Sequence, residues 1–253
     1  MAMQNRIYSL DNPKAAKARQ FGWLNAIHYM APSTLAEVGN LCPRASKACE
    51  ELCLGWFSGQ AGMAKDGQLN SVRASRIAKA RRFMTDRQAY LADMVKATEL
   101  AAAQADRLGL SLCVRPNGST DIAWERIKVW RAGTLYPNIM GAFPKVQFTD
   151  YTKIASRFAR ALPSNYSLTY SRAEGRDEEA HRLLDAGHNV AIVFSGDRPR
   201  QWGGVATIDG DAHDLRHLDP RGVVVALSPK GHKAKRDRSG FVWRPLRELV
   251  TLP

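Results

Sequence analysis

An α/β fold is predicted, a partial or closed barrel with a cysteine-rich N-terminal region, and three observations carry the prediction. Between residues 110 and 228, short apolar runs of strand length alternate with helix-length segments. Successive runs end in polar turns, the rhythm of parallel βα units. A length of 253 residues suits one such domain, so residues 1–253 are read as a single barrel-like unit, with residues 41–55 a metal-binding segment inside it.

A basic segment to about residue 20 leads into FGWLNAIHYMAP and then the cysteines. From Asn70 to Phe83 the apolar Val72, Ile77 and Ala80 lie among Arg73, Arg76, Lys79, Arg81 and Arg82, an amphipathic helix with a basic face. A second helix is expected after Asp86, a residue type that caps N-termini, with Tyr90, Leu91, Met94, Val95 and Leu100 apolar and Gly109 ending it. LSLCVRP (110–116) reads as a strand and DIAWERIKVWRAG (121–133) as a helix. VQFT (146–149) precedes the helical KIASRFARAL (153–162), YSLTYS (166–171) precedes RDEEAHRLLDAG (176–187), and NVAIVFS (189–195) and VVVALS (223–228) are further strands. These fall short of a closed eight-stranded TIM barrel but fit a TIM-like or open parallel sheet, in which function gathers at strand C-terminal ends. Those ends read Arg115-Pro-Asn-Gly-Ser-Thr-Asp121, Thr149-Asp-Tyr-Thr-Lys153, Tyr170-Ser-Arg-Ala-Glu174 and Phe194-Ser-Gly-Asp197. There is no Walker phosphate loop, dinucleotide glycine fingerprint or tandem repeat.

Thirty-seven Lys and Arg against 24 Asp and Glu give a net charge of +13. Such an excess favours a polyanionic partner, a nucleotide or nucleic acid, because bound phosphates release condensed counterions; the plainer alternative is a solvated basic surface. The charge concentrates at residues 73–82 and 230–238. No apolar run approaches the roughly 20 residues of a membrane span, and the first 20 residues lack a signal-peptide core, so a cytoplasmic location without membrane contact is expected.

Three of the four cysteines, Cys42, Cys49 and Cys53, fall within twelve residues. Close spacing lowers the entropy cost of gathering thiolates around one metal. Alternation on the 110–116 strand puts Cys113 and Arg115 on one face, from which Cys113 could join the other three. Three thiolates leave one corner of a 4Fe–4S cluster open to substrate or cofactor, whereas four suit electron transfer or a structural role. Zinc is the alternative metal, and unliganded reduced thiols are the remaining reading.

With these features on view, the chain resembles the bacteriophage gene product 88 family and, more weakly, radical S-adenosylmethionine barrels. The resemblance rests on LCPRASKACEELCLG (41–55), the basic helix after it, RPNGSTD (115–121), FTDYTK (148–153) and the stretch from DGDAHDLRHLDP through residue 242. It implies a barrel with an iron–sulfur centre on Cys42, Cys49 and Cys53, in the host cytoplasm if the chain is phage-encoded. Radical S-adenosylmethionine enzymes usually show CxxxCxxC, whereas the spacers here are six and three residues, which weakens the case for S-adenosylmethionine as a cofactor.

Other polar residues complete the expectations. Asp121 and Lys153 are candidate catalytic groups, each with a bland counterpart as helix cap and solvated surface. Arg115, Asn117, Tyr151 and Arg172 are candidate substrate contacts, the arginines as clamps for phosphate or carboxylate. Asp209, Asp211, His213 and His217 are an alternative divalent-metal site, the two histidines sharing a face if that segment is helical; a charged turn with a helix cap and substrate hydrogen bonding are the other readings. The leading expectation is an iron–sulfur oxidoreductase or radical enzyme acting on a nucleotide or nucleic acid, served by an electron donor. Its rivals are a non-catalytic nucleic-acid-binding protein with a structural metal and a divalent-metal phosphoesterase.

Overall fold

The computed structural model describes residues 7–11, 13–64 and 68–245. Its strands are β1 (Tyr8–Ser9), β2 (Trp23–His28), β3 (Ser111–Arg115), β4 (Val129–Arg131), β5 (Thr134–Tyr136), β6 (Gln147–Thr152), β7 (Tyr166–Ser171), β8 (Val190–Phe194), β9 (Gln201–Trp202), β10 (Val205–Asp209), β11 (Val224–Leu227) and β12 (Val242–Trp243). The helices are α1 (Pro13–Arg19), α2 (Lys47–Glu51), α3 (Leu54–Phe57), α4 (Ser71–Thr85), α5 (Arg87–Arg107), α6 (Ile139–Ala142), α7 (Asp177–Asp185) and α8 (Gly231–Lys235).

Ten strands form one sheet in the order β1-β2-β3-β6-β7-β8-β11-β10-β9, with β12 alongside β8. The strands from β2 to β10 in that order run parallel, while the two-residue edges β1 and β9 are antiparallel to their neighbours. Among the described residues no pairing joins the β1 edge to the β9 edge, so the sheet is open and the closed-barrel expectation is corrected. Both edges end in strands too short to offer a ladder for closure. The cysteine-rich segment likewise lies between β2 and α4, not at the N-terminal end.

Alternation along the strands separates two kinds of surface. Leu24, Ala26, Leu112, Val114 and Phe148 point into a core shared with Tyr90, Met94 and Val95 of α5 and Phe83 of α4. Val190, Ile192, Val224 and Ala226 join Ala180 and Leu184 of α7 in a second core. The alternate residues on β2, β3 and β6 face the other way and include, beside Trp23 and Ile27, the polar or sulfur-bearing Asn25, Cys113, Arg115, Thr149 and Tyr151. A loop between β10 and β11 covers this face, its turn at Arg216–Leu218 packing on β6 and β7 and Leu215 closing on Cys113.

Two expected helices are absent for identifiable reasons. Residues 121–133 form a turn at Trp124–Arg126 and then the β4–β5 hairpin, whose tight turn uses Ala132 and Gly133 at φ of 46° and 78°. Residues 153–162 shrink to one turn at Ala155–Arg157, because Lys153 and Arg157 are buried in polar contacts that a regular helix would break. The helices α4 and α5 lie where expected, with Asn70 capping α4, Asp86 between them and Gly109 beyond the end of α5 at φ 66°. Strands β2 and β10 went unread in the sequence. No helix among the described residues is long and apolar enough to cross a membrane.

Candidate metal centre at the strand C-terminal ends

The cysteine segment lies over the C-terminal ends of β3, β6 and β7. Ser46 caps α2 by accepting from the Cys49 amide at 3.2 Å and itself donates to Glu174 Oε2 at 2.6 Å. The other oxygen of Glu174, just past β7, accepts from the Ala48 amide at 3.1 Å. One carboxylate thus holds the first turn of the helix that carries Cys49. The Asp121 amide donates to Leu41 O at 2.9 Å, and Ser119 donates to Met30 O at 2.6 Å, fastening the loop after β3 to the chain that leads into the cysteines. Gly118 is required there: an added Cβ would stand 2.5 Å from His28 O.

Cys42, Cys49 and Cys53 are half-buried free thiols. Burial pushes Cys42 and Cys53 up to about 12 and raises Cys49, and the neighbouring sulfurs add mutual repulsion for Cys42 and Cys53. Several groups favour thiolates in return. The Ser33 amide donates to Cys42 Sγ at 3.3 Å, from a residue held at φ 50°. The Gly55 and Trp56 amides at the start of α3 stabilise a charge on Cys53 without closing full hydrogen bonds. Lys153 acts on Cys49, and Arg76 acts on Cys53 while donating to Gly55 O.

Among the described residues, no group of three or more His, Cys, Asp or Glu side chains is arranged to hold a metal ion. The three cysteines are gathered but not closed, so binding has to draw their sulfurs together. The donor set nevertheless fits an iron–sulfur cluster or zinc in kind: three thiols, amides aimed at sulfur and two flanking cations are what a thiolate-bound cationic centre uses.

Cys113 stands apart from this group. It is fully buried on β3 with Ala18, Leu215 and Trp23, and its Sγ lies 3.9 Å from His217 Nδ1. The alternation expected for β3 holds, but that face is closed by the loop from β10 and does not open onto the other sulfurs.

The candidate catalytic pair is brought beside the thiols and is heavily engaged. Asp121 accepts from Thr152 Oγ1 at 2.7 Å, the Lys153 amide at 2.8 Å and Arg157 Nη1 at 3.1 Å, while burial raises its pKa. Lys153 Nζ donates to Ser171 O, Ser171 Oγ and Arg172 O at 3.1, 3.1 and 3.2 Å, and burial lowers its pKa. All three ammonium protons are therefore committed.

The candidate substrate contacts divide. Asn117 is a structural hub: it donates to Ile122 O and Asp150 Oδ2 and accepts from Thr120, the Ile122 amide and Trp124 Nε1, leaving no amide capacity over. Arg172 is taken up by Asp177, Gly240 O and Phe241 O. Arg115 pairs with Asp214 at 2.9 Å and lies 4.7 Å over the Tyr151 ring, yet its Nε and the Tyr151 hydroxyl are buried without a partner among the described residues. Tyr29 links this pair to the thiols, with Arg76 stacked 4.6 Å over its ring and both Arg115 and Asp214 acting on it.

The alternative metal site is not assembled. Asp209 pairs with Arg198, Asp211 with Lys230 at 2.9 Å, His213 accepts from the Leu215 amide, and His217 packs edge-on to Trp23. Only Arg216–Leu218 is helical there, so the four-residue spacing of the histidines does not place them on one helix face. The basic face of α4 is corrected too. Arg73 and Lys79 are buried, Arg73 donating to Trp56 O and Gln68 O, while Arg81 and Arg82 pair with Glu37 and Asp93.

Sequence reasoning missed Tyr29, Ser33 and Asp214. The left-handed Ser33 leaves no sequence signal, and Asp214 reaches Arg115 only through the fold.

The family model described as gene product 88 matches residues 4–245, so the chain belongs to that family. No curated protein and no solved structure matches it.

Proposed function

We propose that this gene product 88 family member is an iron–sulfur protein that acts on a nucleotide or nucleic-acid substrate by redox or radical chemistry. The observation that carries the reading is the gathering of Cys42, Cys49 and Cys53 at the strand C-terminal ends, beside Arg76 and Lys153. These three cysteines would hold the cluster, with Cys113 outside the set. A bound cluster supplies an electron and an iron position open to substrate or to S-adenosylmethionine.

The chain's own residues supply the rest. Arg76 and Lys153 offset the charge of the thiolates. Arg115 is fixed by Asp214 and lies with Tyr151 under the β10–β11 loop, so this pair supports the site through Tyr29 and is not a direct substrate contact. Glu174 and Asp121 position the cysteine helix and the loop after β3, so they are positioning residues. An external electron donor completes a redox cycle.

The full engagement of Asp121 and Lys153 favours a second reading, a non-catalytic nucleic-acid-binding protein whose metal, iron–sulfur or zinc, fastens the cysteine segment. Anaerobic purification with iron, sulfide and zinc analysis and electron paramagnetic resonance separates them. Iron and sulfide in equal amounts with a reducible paramagnetic signal supports the first reading, and zinc alone supports the second. Metal-free protein that remains folded and binds substrate would sink both.

A further inference from the structure

Of the two basic runs, the second is the more available to a ligand, since α4 buries Arg73 and Lys79, turns Arg76 toward Cys53 and pairs Arg81 and Arg82 with Glu37 and Asp93. A cavity of about 610 Å³ opens beside α8 and β12, lined by Lys235, Arg236, Arg238, Trp243, Arg172 and Arg244. That volume lies within the roughly 300–1,000 Å³ of small-molecule sites. Arg172 is held by Asp177 and two carbonyls, and Arg244 donates to Lys235 O and Asp237 O, so these two build the walls.

The acidic residue on this lining, Asp237, turns inward. It accepts from the amides of Ser239 and Val242 and from the Ser239 hydroxyl, and those bonds hold its pKa down despite burial. Lys235, Arg236 and Arg238 are exposed and form no ion pair among the described residues. Three unspent cations therefore share a concave wall with an indole, Trp243, half-buried and set edge-on to Phe194 at 5.4 Å.

The cavity adjoins the cysteine centre. Gly240 on its rim lies against Glu174, the Phe241 ring sits 4.9 Å from Lys153 Nζ, and Lys233 of α8 stands 3.7 Å over Phe57, next to the cysteine segment. A ligand here would reach toward the thiols along the same edge of the sheet.

We propose that this cavity binds a nucleotide unit, with its phosphate on Lys235, Arg236 and Arg238 and its base against Trp243. Cations alone would suit any phosphate; the indole in the same wall selects one that carries an aromatic base. The inference deepens the substrate reading above and rests on it for the connection to the thiols, but the cavity itself does not require a cluster. The nucleotide can come free or as part of a strand, and two probes distinguish these: ATP by calorimetry and a labelled oligothymidylate by fluorescence anisotropy.

Full-length protein is titrated with both probes between about 50 and about 200 mM salt. The Lys235→Glu/Arg238→Glu variant is expected to bind the better probe at least tenfold more weakly, and Trp243→Leu at least fivefold. The matched variant Lys96→Glu/Arg107→Glu, with the same charge change on exposed α5 positions, is expected to change binding less than about threefold. If the first variant does not fold, Lys235→Gln/Arg238→Gln is read in its place, with an expected loss of about fivefold. Equal losses in the cavity and α5 variants, or no binding of either probe by the unaltered protein, overturn the proposal. Iron and sulfide are assayed on the same samples. Iron without nucleotide binding removes the cavity and leaves the cluster, whereas cavity-dependent binding by iron-free protein removes the cluster and leaves the cavity.

Discussion

The three gathered thiols make a quantitative prediction about protons. Burial pushes Cys42 and Cys53 up to about 12 and raises Cys49, so at neutral pH all three carry their protons. A metal binds thiolate and not thiol, so each sulfur it takes releases one proton. With three ligands, the logarithm of apparent affinity rises three per pH unit, about a thousandfold or about 4 kcal/mol. Anaerobic, metal-free protein titrated with cobalt(II) between about pH 6 and about pH 8, read by thiolate-to-cobalt absorption, measures that slope directly. Cys113→Ser should keep the slope at three, because Cys113 lies under the β10–β11 loop. Cys49→Ser should lower it to two and weaken binding. A slope near one in the unaltered protein, or a slope of three that survives Cys49→Ser, would refute the assignment. The same raised values leave metal-free stability insensitive to these thiols below their unfolded pKa of about 8.5; their cost to folding appears only above it.

Three further outcomes follow from the polar network. Glu174→Gln loses one of two charge-assisted bonds to α2; it should lower stability by about 1–2 kcal/mol and reduce iron retained after anaerobic gel filtration, and unchanged melting and iron content would count against the clamp. Asn117→Ala strands the Trp124 and Ile122 donors in the interior and should cost about 2–4 kcal/mol in urea unfolding, so a loss under about 1 kcal/mol would show that the hub is dispensable. The pH profile joins two buried groups of opposite sign. Burial lowers His28 to about 3, so stability from this residue is present above its unfolded value near 6.5 and falls as pH drops below it. Burial raises Asp150 to about 7, so its contribution falls as pH rises from about 4 to 7. Between about pH 5 and 6 the two cancel, and Asp150→Asn should expose the histidine as a gain of about 1.4 kcal/mol per pH unit in urea melts; a flat profile in that variant contradicts the pairing.

The sequence by itself determined the α/β class, the helices α4 and α5, five of the parallel strands and the presence of a thiol-rich segment, because each is written in local periodicity, a cap or a spacing. Tertiary structure decided what those pieces meet. Residues 121–133 carry helical periodicity, yet the left-handed pair Ala132–Gly133 and the burial of Trp124 turn them into a hairpin. Arg73 and Lys79 read as a basic surface and lie buried, since whether a cation faces water depends on what folds over it. Asn117 and Arg172 looked like substrate contacts because strand ends often are, but Asn117 is taken up by Thr120, Ile122 and Trp124 of its own loop and by Asp150, and Arg172 is engaged by Asp177 and by the distant carbonyls of Gly240 and Phe241. The parting of Cys113 from the other three sulfurs was equally invisible: alternation sets a side chain's face, and only the path of the β10–β11 loop sets whether that face is open or closed.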